Sequence, residues 1–248
     1  MMKSAAPRLQ GALIGRGFSR GFMSRAGPRS RGRGLRRSAI WTGSGSSGQR
    51  QRSWGARLYT GAAALFGSEQ GLDFVEICTR PESHRALVEL AARSGVHVLC
   101  QKPSAAVRSD LEAMIRACDS SGIRFMFHEN RRFRSWYRAL RAEISAGTIG
   151  RPICLRIAHR DTRALREGGY DDQPYFRTMP RLILLEMGCH LVDTARFLIG
   201  EVETVSAALG KFGSPSIGED VATFSLQFAG GCLSRPGVLR LVITPGVR

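Results

Sequence analysis

Leu72-Asp73-Phe74-Val75-Glu76-Ile77-Cys78 and Val96-His97-Val98-Leu99-Cys100 are short, mostly apolar runs separated by one amphipathic stretch, and this arrangement decides the fold. Between them, Glu82 to Ser94 carries Ala86, Leu87, Leu90 and Ala91 at helical spacing, and Gly95 stands where a C-terminal cap belongs. Beyond the second run, Ser109-Asp110-Leu111-Glu112 has the form of a capping box. The helix it opens places Leu111, Met114, Ile115 and Cys118 on one face and stops at Gly122. Ile123 to Phe127 follows as a third strand. Strand, helix, strand, helix, strand with short links means parallel strands joined by right-handed crossovers, half of a doubly wound nucleotide-binding domain. Ligands of such sheets bind at the carboxyl ends of the strands. Those ends carry Thr79-Arg80-Pro81, Gln101-Lys102-Pro103 and His128-Glu129-Asn130, all polar.

Working toward the C-terminus, a helix from about Phe133 to Ala146 ends at Gly147, and the texture then changes. Arg151–His159, Val202–Phe212, Val221–Phe228 and Val238–Thr244 read as longer strands, and one strong helix occupies about Arg181–Leu198. The expectation is a Rossmann-like parallel-sheet domain over 1–128, followed over 129–248 by an α+β domain with an open, mostly antiparallel sheet.

The 248 residues carry a formal charge of +17. Residues 1–60 hold 13 Lys/Arg and no acid, leaving 24 basic and 20 acidic side chains in the other 188. The basic character therefore lives in one segment, and the body gives no nucleic-acid footprint. No apolar run reaches the roughly 18 residues that span a bilayer. The six cysteines form no CxxC pair, which fits reduced structural thiols in a cytoplasmic protein and offers no zinc-type ligand spacing. No metal is expected.

Three segments together resemble the Gfo/Idh/MocA oxidoreductases: Ile77-Cys78-Thr79-Arg80-Pro81 with His84, Val96 to Pro103, and Glu186-Met187-Gly188-Cys189-His190-Leu191-Val192-Asp193. Asn130-Arg131-Arg132-Phe133 is a looser fourth match, and the likeness covers about 61–230. The resemblance implies an NAD- or NADP-dependent dehydrogenase that moves hydride to or from a sugar- or cyclitol-type alcohol. It places Lys102, Glu186 and His190 in the catalytic group, and Gly15, Gly17, Thr79, Pro81, His84, Gln101 and Lys102 against the cofactor. Asn130, Arg132 and Tyr175 are the expected substrate contacts. Gln101 and Glu186 depart from the family's usual Glu and Asp but keep hydrogen-bonding capacity and charge, respectively. The resemblance also implies pairing of subunits through the second sheet.

The chemistry fits those residue types. An alcohol gives up hydride readily only as its proton leaves, so a group titrating near neutrality is the natural base, and His190 qualifies. Glu186, four residues earlier on the same helix, lies on the same face and can hold the imidazole or bind substrate. Lys102 offers a fixed charge to steady a developing alkoxide. His97, Trp136 and Tyr137 read as packing residues. Arg160, Asp161, Tyr170, Asp171 and Asp172 form, with Tyr175, a polar stretch before the active-site helix.

The N-terminal segment breaks the pattern. Leu13-Ile14-Gly15-Arg16-Gly17 looks like the start of a dinucleotide fingerprint, but no acid occurs before Glu69, although one is needed about 20 residues after the first Gly. Residues 27–55 are Gly, Arg, Ser and Gln with little apolar periodicity, a composition that does not build a core. Three readings compete: an RG-rich arm binding nucleic acid beside a degenerate, non-enzymatic body; part of a transit peptide; or a stretch read out of frame. The third fits the composition best. Likeness to the family fades after Ala229, which reads as a second sheet cut short. If the frame reading holds, the coding DNA over 27–55 contains, in another frame, an apolar strand ending in Asp or Glu; sequencing that finds none overturns it.

Overall fold

The computed structural model describes residues 9–15, 35–41, 57–161, 168–171, 173–229 and 239–245. The chain divides into two compact units, residues 1–128 and 129–248.

The first unit is built on a six-stranded, wholly parallel sheet: β1 (Leu9–Ile14), β2 (Leu35–Trp41), β3 (Arg57–Tyr59), β4 (Phe74–Ile77), β5 (His97–Cys100) and β6 (Phe125–Phe127). Its spatial order is β3-β2-β1-β4-β5-β6. Chain order therefore runs outward in opposite directions from the adjacent pair β1 and β4, and a crevice opens where it reverses. β4 is buried from Val75 to Ile77, as a strand covered on both faces must be. Helices α1 (Ala62–Ser68), α2 (His84–Arg93) and α3 (Arg108–Ser120) supply the crossovers. α2 buries Leu87, Val88, Ala91 and Ala92, while α3 buries Met114 and Cys118, into a core with Ile14, Val75, Ile77 and Val98.

Both longer helices end in the same motif. The Gly95 amide donates to Ala92 and that of Val96 to Ala91, and the pattern repeats with Gly122 to Asp119 and Ile123 to Cys118. The glycines adopt φ of +68° and +65°, which releases the chain directly into the next strand. The N-terminus of α3 departs from expectation. The helix begins at Arg108 with Val107 as N-cap and no side-chain cap bond, so Ser109 lies inside the first turn and the capping box is not made. Glu112 instead accepts from Arg108 one turn earlier, at 2.6 Å.

A second correction concerns 27–55. Leu35–Trp41, within the segment expected to form no element, is a strand paired in parallel with both β1 and β3. Parallel ladders bond through backbone groups, and the closing Ala39-Ile40-Trp41 is apolar despite its basic surroundings. The rest of 27–55 lies outside the described residues. The strand ends on Trp41, without an acid.

In the second unit, α4 (Ser135–Ala146) precedes a four-stranded sheet of order β7-β10-β9-β8, formed by β7 (Arg156–Asp161), β8 (Val202–Gly210), β9 (Val221–Phe228) and β10 (Leu239–Pro245). β8–β9 and β9–β10 are antiparallel, and β10–β7 is parallel. β9 alternates strictly, burying Ala222, Phe224, Leu226 and Phe228 against Leu191 and Ala195 of α5 (Cys189–Leu198). The helix expected over 181–198 is wound as a π turn over Leu184–Gly188 before α5 begins. Trp136, expected to pack, is 56% exposed, with the Arg134 guanidinium over its ring.

Ile77 is fully buried at the centre of the first unit's core. Ile77→Ala should destabilise that unit by about 2–5 kcal/mol, read as a lowered urea midpoint at unchanged slope.

Candidate active site

At the reversal point of the first sheet, β1 hands over to Gly15 and β4 to Cys78 and Thr79. The Cys78 amide donates to the Ile14 carbonyl at 2.7 Å, drawing the two strand ends together. Gly15 takes φ +100°, and a Cβ there would lie 2.6 Å from the Cys78 carbonyl oxygen and 2.8 Å from Thr79 Cγ2. Only a glycine permits this approach. Gly17 lies outside the described residues.

The loop after β4 is held by its own side chains and by one buried histidine. Ser83 Oγ donates to Thr79 Oγ1 at 2.6 Å and lies 2.9 Å from the Arg80 carbonyl. His84, the first residue of α2, is fully buried; Nδ1 faces the Ser104 carbonyl at 2.9 Å and Nε2 the Thr79 carbonyl at 3.1 Å. Burial pushes its pKa down from the ordinary histidine value, against the smaller opposing pull of those carbonyls. A neutral ring donates to one carbonyl only, so His84 braces the loops after β4 and β5 against each other. That is a positioning geometry, where the sequence suggested cofactor contact. Pro81 opens a short 3-10 turn, Pro81–Ser83.

After β5, the Gln101 amide continues the ladder to the Ile77 carbonyl, and its side-chain oxygen accepts from the Lys102 amide at 3.0 Å. Lys102 is half-buried, and the Lys102–Pro103 peptide is cis. A buried acid nearby faces a histidine that no sequence motif links to it. Glu76 of β4 is fully buried, with Oε1 3.1 Å from Nδ1 of His128. An acid inside an apolar strand carries no local signal of its partner 52 residues on.

The second unit assembles its own cluster. Nδ1–H of His190 donates to Oε2 of Glu129 at 2.5 Å, and the Arg131 amide donates to Oε1 of the same carboxylate at 2.8 Å. Both side chains are buried. Burial by itself raises the Glu129 pKa, but the bonds from His190 and the Arg131 and Asn130 amides outweigh it and hold the carboxyl below its ordinary value. Glu186 is also buried, in the π turn, and accepts from the Tyr175 hydroxyl at 3.1 Å. Single π turns recur at functional sites. Tyr175 in turn packs edge-on against Phe176, which meets Tyr170 in the same way.

His190, Glu186 and Tyr175 thus share one unit, while Lys102 belongs to the other. Spacing had made Glu186 the candidate partner of His190, but the geometry gives that place to Glu129, which follows β6 and appears in the sequence only as part of a polar strand end. Arg132, an expected substrate contact, pairs with Asp193 through Nε at 2.8 Å and a second guanidinium bond, tying the start of the unit to α5. Asn130 caps the short turn Arg131–Phe133 without a side-chain bond. Asp171 pairs with Arg177, and Asp172 lies outside the described residues. His97 accepts from the Arg124 amide, a structural role.

Residues 9–129 match the model of the oxidoreductase family with an NAD-binding Rossmann fold, and 137–236 match the GFO/IDH/MocA C-terminal domain. The likeness therefore begins before residue 61 and continues past Ala229. A D-apiose dehydrogenase of Paraburkholderia graminis is 42% identical over 178 residues, covering 72% of this chain and 46% of that protein. A myo-inositol 2-dehydrogenase of Thermotoga maritima is 31% identical over 66% of this chain and 49% of its own length. The chain spans about half the length of the curated relatives it matches. An Agrobacterium radiobacter oxidoreductase, solved in complex with NAD+, L-tartaric acid and magnesium, superposes with a TM-score of 0.83 at 34% identity, over 98% of this chain and 68% of its own.

Two outcomes follow from the first unit's geometry. Gly15→Ala should cost on the order of 1–3 kcal/mol in urea melts, since a positive φ and a carbonyl both oppose the added Cβ. His84 gives the stability an acid slope. Above pH of about 6.5 the ring is neutral folded and unfolded; below it the unfolded chain takes a proton that the buried ring resists. Stability should therefore fall as pH drops from about 6.5 toward the lowered folded pKa, and His84→Gln should flatten that slope.

Proposed function

This chain belongs to the Gfo/Idh/MocA oxidoreductase family, and we propose that it is an NAD- or NADP-dependent dehydrogenase acting on a sugar- or cyclitol-type alcohol or the matching ketone. The observation that carries this reading is the buried His190–Glu129 pair, in a chain whose other unit presents a glycine-lined strand crossing. The nicotinamide, when bound, supplies the hydride acceptor.

The residues present fit a dinucleotide. Gly15 lets the end of β1 lie against the Cys78 carbonyl with no side chain between, and Thr79, held by Ser83, lies beside it. Gln101 and Pro81 follow the neighbouring strand ends at the same carboxyl edge. His84 braces the loops after β4 and β5 that carry this rim.

Glu129 fixes the tautomer of His190. With Nδ1–H committed to the carboxylate, the lone pair sits on Nε2, which takes the proton of the substrate hydroxyl. The same carboxylate stabilises the imidazolium formed, so its charge does not have to be found in solvent. Glu186 and Tyr175 hold one further polar contact in the same unit and are assigned to the substrate's remaining hydroxyls. Lys102 is assigned the charge that steadies the alkoxide, on family resemblance. Asn130 completes the substrate group; Arg132 positions α5. We assign the cytoplasm as the setting, consistent with the absence, among the described residues, of any helix long and apolar enough to cross a membrane. Pairing of two copies through the second sheet is supported by its edge strand β8, where Val205 is 66% exposed, and by Phe212 just beyond it at 75%.

Titration with NADH and NADPH, followed by nicotinamide fluorescence, should give saturable binding, and a screen including D-apiose and inositol should then show turnover. Failure to bind either cofactor overturns the reading. His190→Ala should lower kcat by about 10²–10⁴-fold with cofactor affinity unchanged. Glu129→Gln should lower kcat and shift the acidic limb of the kcat/KM profile for alcohol oxidation.

A further inference from the structure

We propose that Glu129, Cys189 and His190 form a binding site for a borderline-soft divalent cation of the Zn2+ class, and that filling it switches the base off. One ligand atom from each residue, a carboxylate oxygen, a thiol sulfur and an imidazole nitrogen, lies within 4.8 Å of the others. Two elements bring them together: Glu129 follows β6, and Cys189 and His190 are the first two residues of α5. Glu129 and His190 are 3% and 7% exposed, whereas Cys189 is half-buried, in no disulfide, with its thiol directed at the Glu186 carbonyl at 3.8 Å.

The donor set selects the ion. One sulfur, one nitrogen and one oxygen suit Zn2+, which takes three protein ligands and keeps a fourth position open in reactive sites. Mg2+ and Ca2+ favour six or more oxygens and find too few here. The other described cysteines do not compete as ligands in such a cluster. Cys78, Cys100 and Cys118 are buried in the first unit, where burial pushes the Cys100 thiol up to about 12, and Cys154 is exposed. The Arg131 amide holds the carboxylate's other oxygen in place.

Binding exchanges protons for metal in a balanced way. The ion replaces the proton between Glu129 and Nδ1 of His190; that proton passes to Nε2, and the Cys189 thiol releases its own to solvent as the sulfur bonds the metal. A neutral imidazole ligated at Nδ1 carries its hydrogen on Nε2 and can no longer accept one there. Inhibition therefore follows from the change of tautomer, with no movement of the fold. This second half rests on His190 being the base; the binding half does not.

Zn2+ affinity should be measured on the full chain by competition with a chromogenic chelator, and by thermal shift with Zn2+ or Mg2+. One equivalent of Zn2+ should bind with a raised Tm, and Mg2+ should do neither. Cys189→Ser and Glu129→Gln should each weaken Zn2+ about tenfold or more, while Cys154→Ser leaves it unchanged, with circular dichroism showing each variant folded. Turnover of the wild-type chain should fall over the same Zn2+ range and return with EDTA. Zn2+ affinity unaltered by Cys189→Ser, or lost with Cys154→Ser, overturns the site. Binding as described in a chain without dehydrogenase turnover sinks the functional reading and leaves the site standing; turnover insensitive to bound Zn2+ sinks the switch.

Discussion

The first unit depends on the close approach of β1 and β4 at their carboxyl ends. The Cys78 amide reaches the Ile14 carbonyl, and Gly15 then turns the chain with no side chain against the Cys78 carbonyl. Because these are the strands between which the order of the sheet reverses, everything carried on their C-terminal loops faces one crevice. Thr79, Pro81, Gln101 and Lys102 are separated by up to 23 residues yet share that edge. His84 keeps the neighbouring loops in register by facing a carbonyl on each with one buried ring. The arrangement trades a polar group in the core for a fixed rim.

A related economy operates in the second unit. Glu129 is buried, and burying a lone carboxylate is costly, yet three hydrogen bonds from His190 and two backbone amides hold it ionised. That charge is what gives His190 a defined tautomer. The same pair, with Cys189 beside it, also presents donors that suit a soft cation. The Arg132–Asp193 pair and the alternating face of β9 hold α5, and with it His190, against the rest of the unit.

Much of this was legible in the chain. The β-α-β-α-β pattern of 72–127 follows from apolar periodicity, and Gly95 and Gly122 mark helix ends because nearly all other residues resist the left-handed conformation. The alternation in Val221–Phe228 announces a strand with one buried face. The capping box at Ser109 was misleading, since Ser and Glu at that spacing also fit inside a first turn. β2 was hidden because composition over 27–55 is dominated by Arg and Gly, while strand pairing there rests on backbone hydrogen bonds to β1 and β3.

The sequence by itself determined the order of elements from β4 onward and their parallel pairing in the first sheet, because periodicity is a local property, and its short motifs, by their resemblance to the family, marked His190, Glu186 and Lys102 as candidates. Only the tertiary structure decided which acid serves His190. Helical spacing offered Glu186, and folding supplied Glu129 from 61 residues earlier, leaving Glu186 to Tyr175. It likewise paired Glu76 with His128 and set Cys189 beside Glu129. Partners of buried polar groups are chosen by proximity in space, which burial then makes energetically decisive.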